Sequence, residues 1–341
     1  MVKITPSPPP RRVVGAAEVQ FYCAWFCPFA QRAWIALEEK NVHYDYVECT
    51  LYRGDASTKV ALTVAEKAAL NPEFVAASPN GLVPAVRHGN AAVDDSHVVV
   101  EYVDGAFAGP PLLPSDPAEK ARVRGAVAYF DDKVRPHFYA MLMAQDAPKQ
   151  RAACDALRHN WGLLAERFAP ASEGPYFLGA RFSFFDVATL PWFQRLEPVL
   201  GTYRDFELPE AGRDAGWDRL RTWFDACVAR PTVRRTLADR EALVGNYVGY
   251  ASGKATSKVA RDIRRSGLLG LMHRGAGEHA TNLRLSLLPV PVAAAAAFAA
   301  WLGVPARSSA LGAAALLGFA VATALERGFF RALYTRRIAS D

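Results

Sequence analysis

The stretch Gln20-Phe21-Tyr22-Cys23-Ala24-Trp25-Phe26-Cys27-Pro28-Phe29-Ala30-Gln31-Arg32 decides how this 341-residue chain folds. Val19 to Cys23 reads as a strand, and a short turn then leads into a helix that opens at Cys27-Pro28 and runs to Lys40. Pro28 suits the first helical turn, where its missing N–H would have had no partner. Phe29, Ala33 and Leu37 recur at four-residue spacing and give the helix an apolar stripe, with Asn41 as its stop. The Cys27 sulfur then lies at the helix N-terminus, where unpaired N–H groups and the positive dipole end favour a thiolate. A lowered thiol pKa is the expectation. Most free cysteines are small buried hydrophobes, but one directly ahead of a helix-opening proline points to a reactive thiol.

Working outward, the chain is long enough for two domains with cores of their own. Its five cysteines, Cys23, Cys27, Cys49, Cys154 and Cys227, are odd in number and lack metal-ligand spacing, which suits a reducing compartment. No apolar run follows Met1, so the start does not read as a signal peptide. The net charge of +6 hides an asymmetry. Residues 1–245 hold 28 Lys/Arg against 30 Asp/Glu, whereas residues 246–341 hold 12 against 4. Charge therefore argues against nucleic-acid binding by the folded body.

Residues 1–17 read as a flexible proline-rich leader. After the Cys27 helix, Val42, Tyr44 and Tyr46 alternate with His43 and Asp45 as a second strand, which leaves His43 solvated on the polar face. A helix is expected from Ala56 to Leu70. Asn80-Gly81-Leu82-Val83-Pro84-Ala85-Val86 gives a turn and a short strand with a proline at its start, compatible with an edge or a cis bond. Asp94-Asp95-Ser96 is a candidate N-cap, although Val98-Val99-Val100 by pattern alone favours a strand. The prolines from Gly109 to Pro114 mark a linker. Helix-length patterns follow at Arg122–Lys133, Gln150–Phe168 and Trp217–Ala229, and Ser183-Phe184-Phe185-Asp186 is a capping box opening another helix before Pro191.

The chain resembles glutathione transferases, most closely the cysteine-type omega and lambda classes. Phe26-Cys27-Pro28-Phe29-Ala30-Gln31-Arg32, Asn80 to Pro84, Asp95-Ser96 with Glu101-Tyr102, Tyr176 to Gly179, Ser183 to Asp186, Pro191 to Glu197 and Arg230 to Val233 carry the likeness in order over residues 18 to 245. It implies a thioredoxin-like α/β domain over 18–108 with a cis Val83–Pro84 peptide, then an all-helical domain over 109–250. It also implies roles: Cys27 forms a mixed disulfide with glutathione, and Phe29 walls the pocket. The backbone of Val83, beside Pro84, pairs with the cysteinyl part of glutathione. Asp95 meets the γ-glutamyl ammonium, and Ser96, at a helix start running to Phe107, holds the γ-glutamyl carboxylate. Glutathione is then a co-substrate, no metal is expected, and a homodimer is compatible with the family. One departure stands out. The omega-type lysine ahead of Pro72-Glu73-Phe74 is Asn71 here, with Lys67 a turn away, which puts a basic contact to the glycine carboxylate in doubt.

Beyond residue 250 the likeness ends. Residues 251–284 read as a basic amphipathic linker suited to an anionic membrane surface. Leu285 to Ala306 and Ser308 to Leu325 are uncharged runs of 22 and 18 residues, near the roughly 20 that a spanning helix needs. They predict a membrane hairpin over 285–326, followed by a basic tail over 327–341. Seven Lys/Arg before the hairpin, four after it and one at its turn predict that both ends and the catalytic body face the cytosol, with lipid contacts through residues 251–337. The expected activity is glutathione-dependent thiol transfer, on a glutathionylated thiol or a dehydroascorbate-like acceptor. The alternative is a non-catalytic, membrane-anchored relative, as in chloride intracellular channels or ganglioside-induced differentiation-associated proteins.

Overall fold

A computed structural model describes residues 18–266. The elements run β1 (Val19–Cys23), α1 (Pro28–Glu39), β2 (Tyr44–Glu48), β3 (Tyr52–Arg53), β4 (Val60–Ala61), α2 (Val64–Leu70), α3 (Pro72–Ala77), β5 (Ala85–His88), β6 (Ala91–Asp94) and α4 (Ser96–Ala106). Nine helices then follow among the described residues: α5 (Pro117–Tyr129), α6 (Arg135–Met143), α7 (Ala147–Ala165), α8 (Phe184–Arg195), α9 (Thr202–Arg204), α10 (Ala215–Ala229), α11 (Pro231–Arg234), α12 (Arg240–Ala251) and α13 (Lys258–Arg265). The main sheet has the order β2-β1-β5-β6, with β1 parallel to β2 and antiparallel to β5. A parallel pair needs a crossover, and α1 supplies it. Ala33, Leu37 and Ile35 are fully buried in that helix, which packs against α4 and α8.

Tertiary packing overrides local preference at α4, which is helical despite Val98-Val99-Val100 because Val99, Val100 and Val103 are all buried in the core. The Ser183 capping box forms as expected: Asp186 accepts from Ser183 N–H and O–H at 2.7 Å and from Trp223 Nε1 at 2.7 Å. The Val83–Pro84 peptide is cis.

Two expectations are corrected. The helix proposed from Ala56 begins only at Val64, because residues 52–61 form the β3–β4 hairpin. An Asp55 turn that caps Ser57 N–H and a left-handed Lys59 interrupt any helix there, and Thr63 with Glu66 makes the capping box that starts α2. Second, the helical body continues past 250: α13 packs against α6 and buries Ala260 and Ile263. The helix capped by Ser183 opens before Pro191 as expected and runs through it to Arg195. The proline-rich leader, residues 267–284 of the expected linker, the expected hairpin over 285–326 and the basic tail lie outside the described residues. Among the described residues no helix is long and apolar enough to cross a membrane.

Candidate active site

The Ala24–Cys27 turn closes on a Cys27 N–H to Ala24 carbonyl bond of 2.8 Å, and Cys27 becomes the N-cap of α1 in extended conformation. Pro28 at the first helical position then aims the Cys27 side chain toward a cleft of about 520 Å³ between the sheet domain and the helices. Phe29, Val83, Pro84, Asp95 and Ser96 line the same cleft, so all six residues singled out from the sequence meet there.

The start of α4 forms one end of the cleft. Asp95, at a φ of 71°, caps the helix by accepting from His97 N–H at 2.9 Å. Beneath it lies a buried cation that sequence reasoning missed. Arg32 Nη2 pairs with Asp131 at 2.8 Å, Nη1 donates to Ser96 Oγ at 3.2 Å, and Nε donates to the Ala188 carbonyl at 2.8 Å. Asp131 also pairs with Arg135 at 2.9 Å and His97 at 3.1 Å. Burial opposes its ionisation, but Arg32, His97 and Arg135 together hold its carboxyl well below the usual carboxylate range. Asp131 sits in a π-helical segment, Phe130–Val134, that interrupts the run from α5 to α6, a device common at functional sites. Only the fold brings these side chains under Ser96; no spacing in the sequence signals it.

Cys27 departs from expectation. Burial pushes its thiol above the ordinary value, and the N–H groups of Ala30 and Phe29 and the Arg195 and Lys59 cations pull the other way without reversing the direction. The helix N-terminus thus acts as reasoned, but desolvation outweighs it. Cys23, wholly buried, is pushed up further, chiefly by desolvation. Arg195 is fully buried and donates to Gln31 Oε1 at 2.8 Å, Tyr247 Oη at 2.9 Å and the Phe26 carbonyl at 3.1 Å.

Asn71, in the place of the omega-type lysine, caps α3 by accepting from Phe74 N–H at 2.9 Å. Lys67 is spent on the Gly81 carbonyl at 2.7 Å. The lysines that do line the cleft are Lys59, from the hairpin, and Lys258, from α13. Tyr52, Tyr139, Tyr247 and Tyr250 complete the wall, and burial raises the hydroxyl pKa of each.

Known proteins share this fold. The family model "Glutathione S-transferase, N-terminal domain" matches residues 26–106. A protein of Oryza sativa subsp. japonica described as "Probable glutathione S-transferase GSTU6" is 33% identical over 199 residues, 55% of this chain and 78% of that one. Glutathione S-transferase omega-1 of Sus scrofa is 28% identical over 63% of this chain and 78% of its own. The crystal structure of glutathione transferase Omega 3C from Trametes versicolor is 32% identical with a TM-score of 0.55, covering 65% of this chain and 90% of that one.

Proposed function

The chain belongs to the glutathione S-transferase family, and on that premise we propose that it is a cysteine-type member catalysing glutathione-dependent thiol transfer at Cys27. One observation carries this reading: Cys27 is the cysteine, among the described residues, that both caps a helix and lines the cleft. In this reading the Cys27 thiolate attacks the glutathionyl sulfur of a mixed disulfide, forming a Cys27–glutathione disulfide and releasing the substrate as thiolate. The thiolate of a second glutathione then attacks the glutathionyl sulfur, giving glutathione disulfide and restoring Cys27. With dehydroascorbate, two glutathione thiols are oxidised and the acceptor is reduced. A raised thiol pKa does not disable exchange, because intrinsic nucleophilicity rises with pKa and offsets part of the smaller thiolate fraction.

Glutathione would lie with its cysteinyl peptide against the Val83 backbone and its γ-glutamyl end at Asp95 and Ser96. Ser96 Oγ already accepts from Arg32, so its own proton is available to a carboxylate. Conjugation driven by a tyrosine is the less favoured chemistry here, since burial disfavours a phenolate at each cleft tyrosine. The deciding assay runs a glutathionylated peptide and dehydroascorbate side by side. Turnover of neither by the full chain, with retention on glutathione resin intact, would point to a non-catalytic binding protein.

Membrane attachment with the body in the cytosol is the second part of this reading. It is supported by the two uncharged runs and their flanking positive residues. Within the body, α13 turns Ala260 and Ile263 inward and leaves Lys258, Arg261, Arg264 and Arg265 exposed.

A further inference from the structure

Lys59 lines the cleft, and the thiol-transfer scheme gives it no task. It is only 3% exposed, so its ammonium has lost most of its water. An ammonium carries three N–H donors, and the Asn246 carbonyl, at 2.9 Å, and Asn246 Oδ1 accept from it. Around it stand the rings of Phe26 at 4.2 Å, Tyr52 at 4.9 Å, Tyr250 at 5.3 Å and Tyr247 at 5.6 Å, all of which line the cleft as well. Ring faces attract a cation but do not neutralise it. The carboxylates that line the cleft are engaged elsewhere: Asp94 accepts from Ser78, Asp95 caps α4, Asp131 pairs with Arg32 and Asp262 with Lys258. The fold nonetheless fixes Lys59 in place. It holds a left-handed φ of 46°, its carbonyl accepts from Thr256 N–H, and Gly249 packs so close that a Cβ there would come within 2.8 Å of Lys59 Cβ.

A buried ammonium without a counter-ion is costly, and an anion that reaches it through the cleft offsets that cost. Resting on the thiol-transfer reading, we propose that Lys59 is a specificity-determining residue that receives a carboxylate of the acceptor. The favoured acceptor is then a small glutathionylated thiol with an apolar body and a carboxylate, in preference to the uncharged dehydroascorbate. The four rings suit the apolar body. Phe26, whose ring is the nearest of them to the ammonium, directly precedes Cys27, so one wall of the cleft carries both the thiol and the anion receptor. Burial pulls the Lys59 ammonium down to about 7, so above neutral pH an anion that pairs with it also draws a proton onto it. The other ionisable groups that face Lys59 are Cys27, Arg195 of α8, Tyr52 of β3, and Tyr247 and Tyr250 of α12. Arg195 opposes the Lys59 charge, and Cys27 and the tyrosines are neutral near neutral pH because burial raises them.

The test is isothermal titration calorimetry of the full chain with S-(4-carboxybenzyl)glutathione and its amide, S-(4-carbamoylbenzyl)glutathione, which share the glutathione part and the ring. At pH 6.5 the carboxylate should bind about tenfold tighter than the amide, the difference that one charged hydrogen bond makes. At pH 8, heats measured in buffers of different ionisation enthalpy should show uptake approaching one proton with the carboxylate and none with the amide. Lys59→Met should bring the two affinities to within about twofold of each other and remove the uptake. Lys59→Arg, charged at every working pH, should keep the preference and lose the uptake, and it stands in if Lys59→Met does not fold. Equal affinities in the wild type, or a preference that survives Lys59→Met, overturn the proposal. Where Lys59→Arg must stand in, a lost preference or a persisting uptake overturns it. Neither conjugate turns over, so a chain that shows the preference but no thiol transfer would refute the parent reading alone.

Discussion

Arg195 donates a hydrogen bond to the Phe26 carbonyl at 3.1 Å, so a fully buried guanidinium of the helical domain grips the residue that precedes Cys27. The same side chain bonds Gln31 and Tyr247, tying the start of α1 to α8 and α12. Arg195→Leu would leave these acceptors buried and unpaired. It should cost about 3 kcal/mol of stability, since charged hydrogen bonds contribute roughly 1.5–3 kcal/mol each. The urea midpoint checks this, and a midpoint equal to wild type would show that the grip is not structural.

Cys27→Ala should abolish thiol transfer without lowering the melting temperature by more than a few degrees, because the side chain is partly exposed at the cleft. Cys23→Ala should retain activity, since Cys23 is buried in β1. If activity follows Cys23 and survives loss of Cys27, the assignment of the nucleophile is wrong.

The pH profile of Cys27 follows from its environment. Desolvation raises the thiol, and only the thiolate reacts, so alkylation of the ligand-free protein should still be accelerating at pH 9. A plateau reached by pH 7 would mean that the helix N-terminus and nearby cations outweigh burial after all.

Asp131 offers a stability test in acid. Its folded-state pKa is depressed, so its contribution is complete above the unfolded value of about 4 and is lost as pH falls below that. Asp131→Asn leaves Arg32 buried without a counter-charge and should cost about 3 kcal/mol at pH 7. The gap between wild type and variant should narrow progressively below pH 4. A gap that stays constant down to pH 2 would exclude the ion pair as its source.

For the tail, carbonate extraction of the full chain should leave it with the membrane, while a chain ending at residue 266 washes free. Ala296→Arg, near the middle of the first uncharged run, should cost about 2.5–3.5 kcal/mol of insertion and weaken retention, whereas Ala306→Arg at its end should not. Full-length protein that extracts as readily as the shortened chain would end the membrane reading.

What the sequence determined by itself was whatever depends on neighbours along the chain. Pro28 after Cys27 set the start of α1, Ser183 and Asp186 set the start of α8, and the order of short motifs identified the fold and the six cleft residues. These signals are local, because a cap or a first-turn proline acts within four residues of itself. Tertiary structure decided the rest. It turned residues 52–61 into a hairpin, drew α13 into the core, and brought Arg32, Asp131 and Lys59 to the cleft from positions far apart in the chain. It also reversed the expected direction for Cys27. The helix N-terminus is a property of residues 27–30, but the burial that outweighs it belongs to a cleft whose wall includes Tyr139, Tyr247 and Tyr250, which no window of sequence around Cys27 contains.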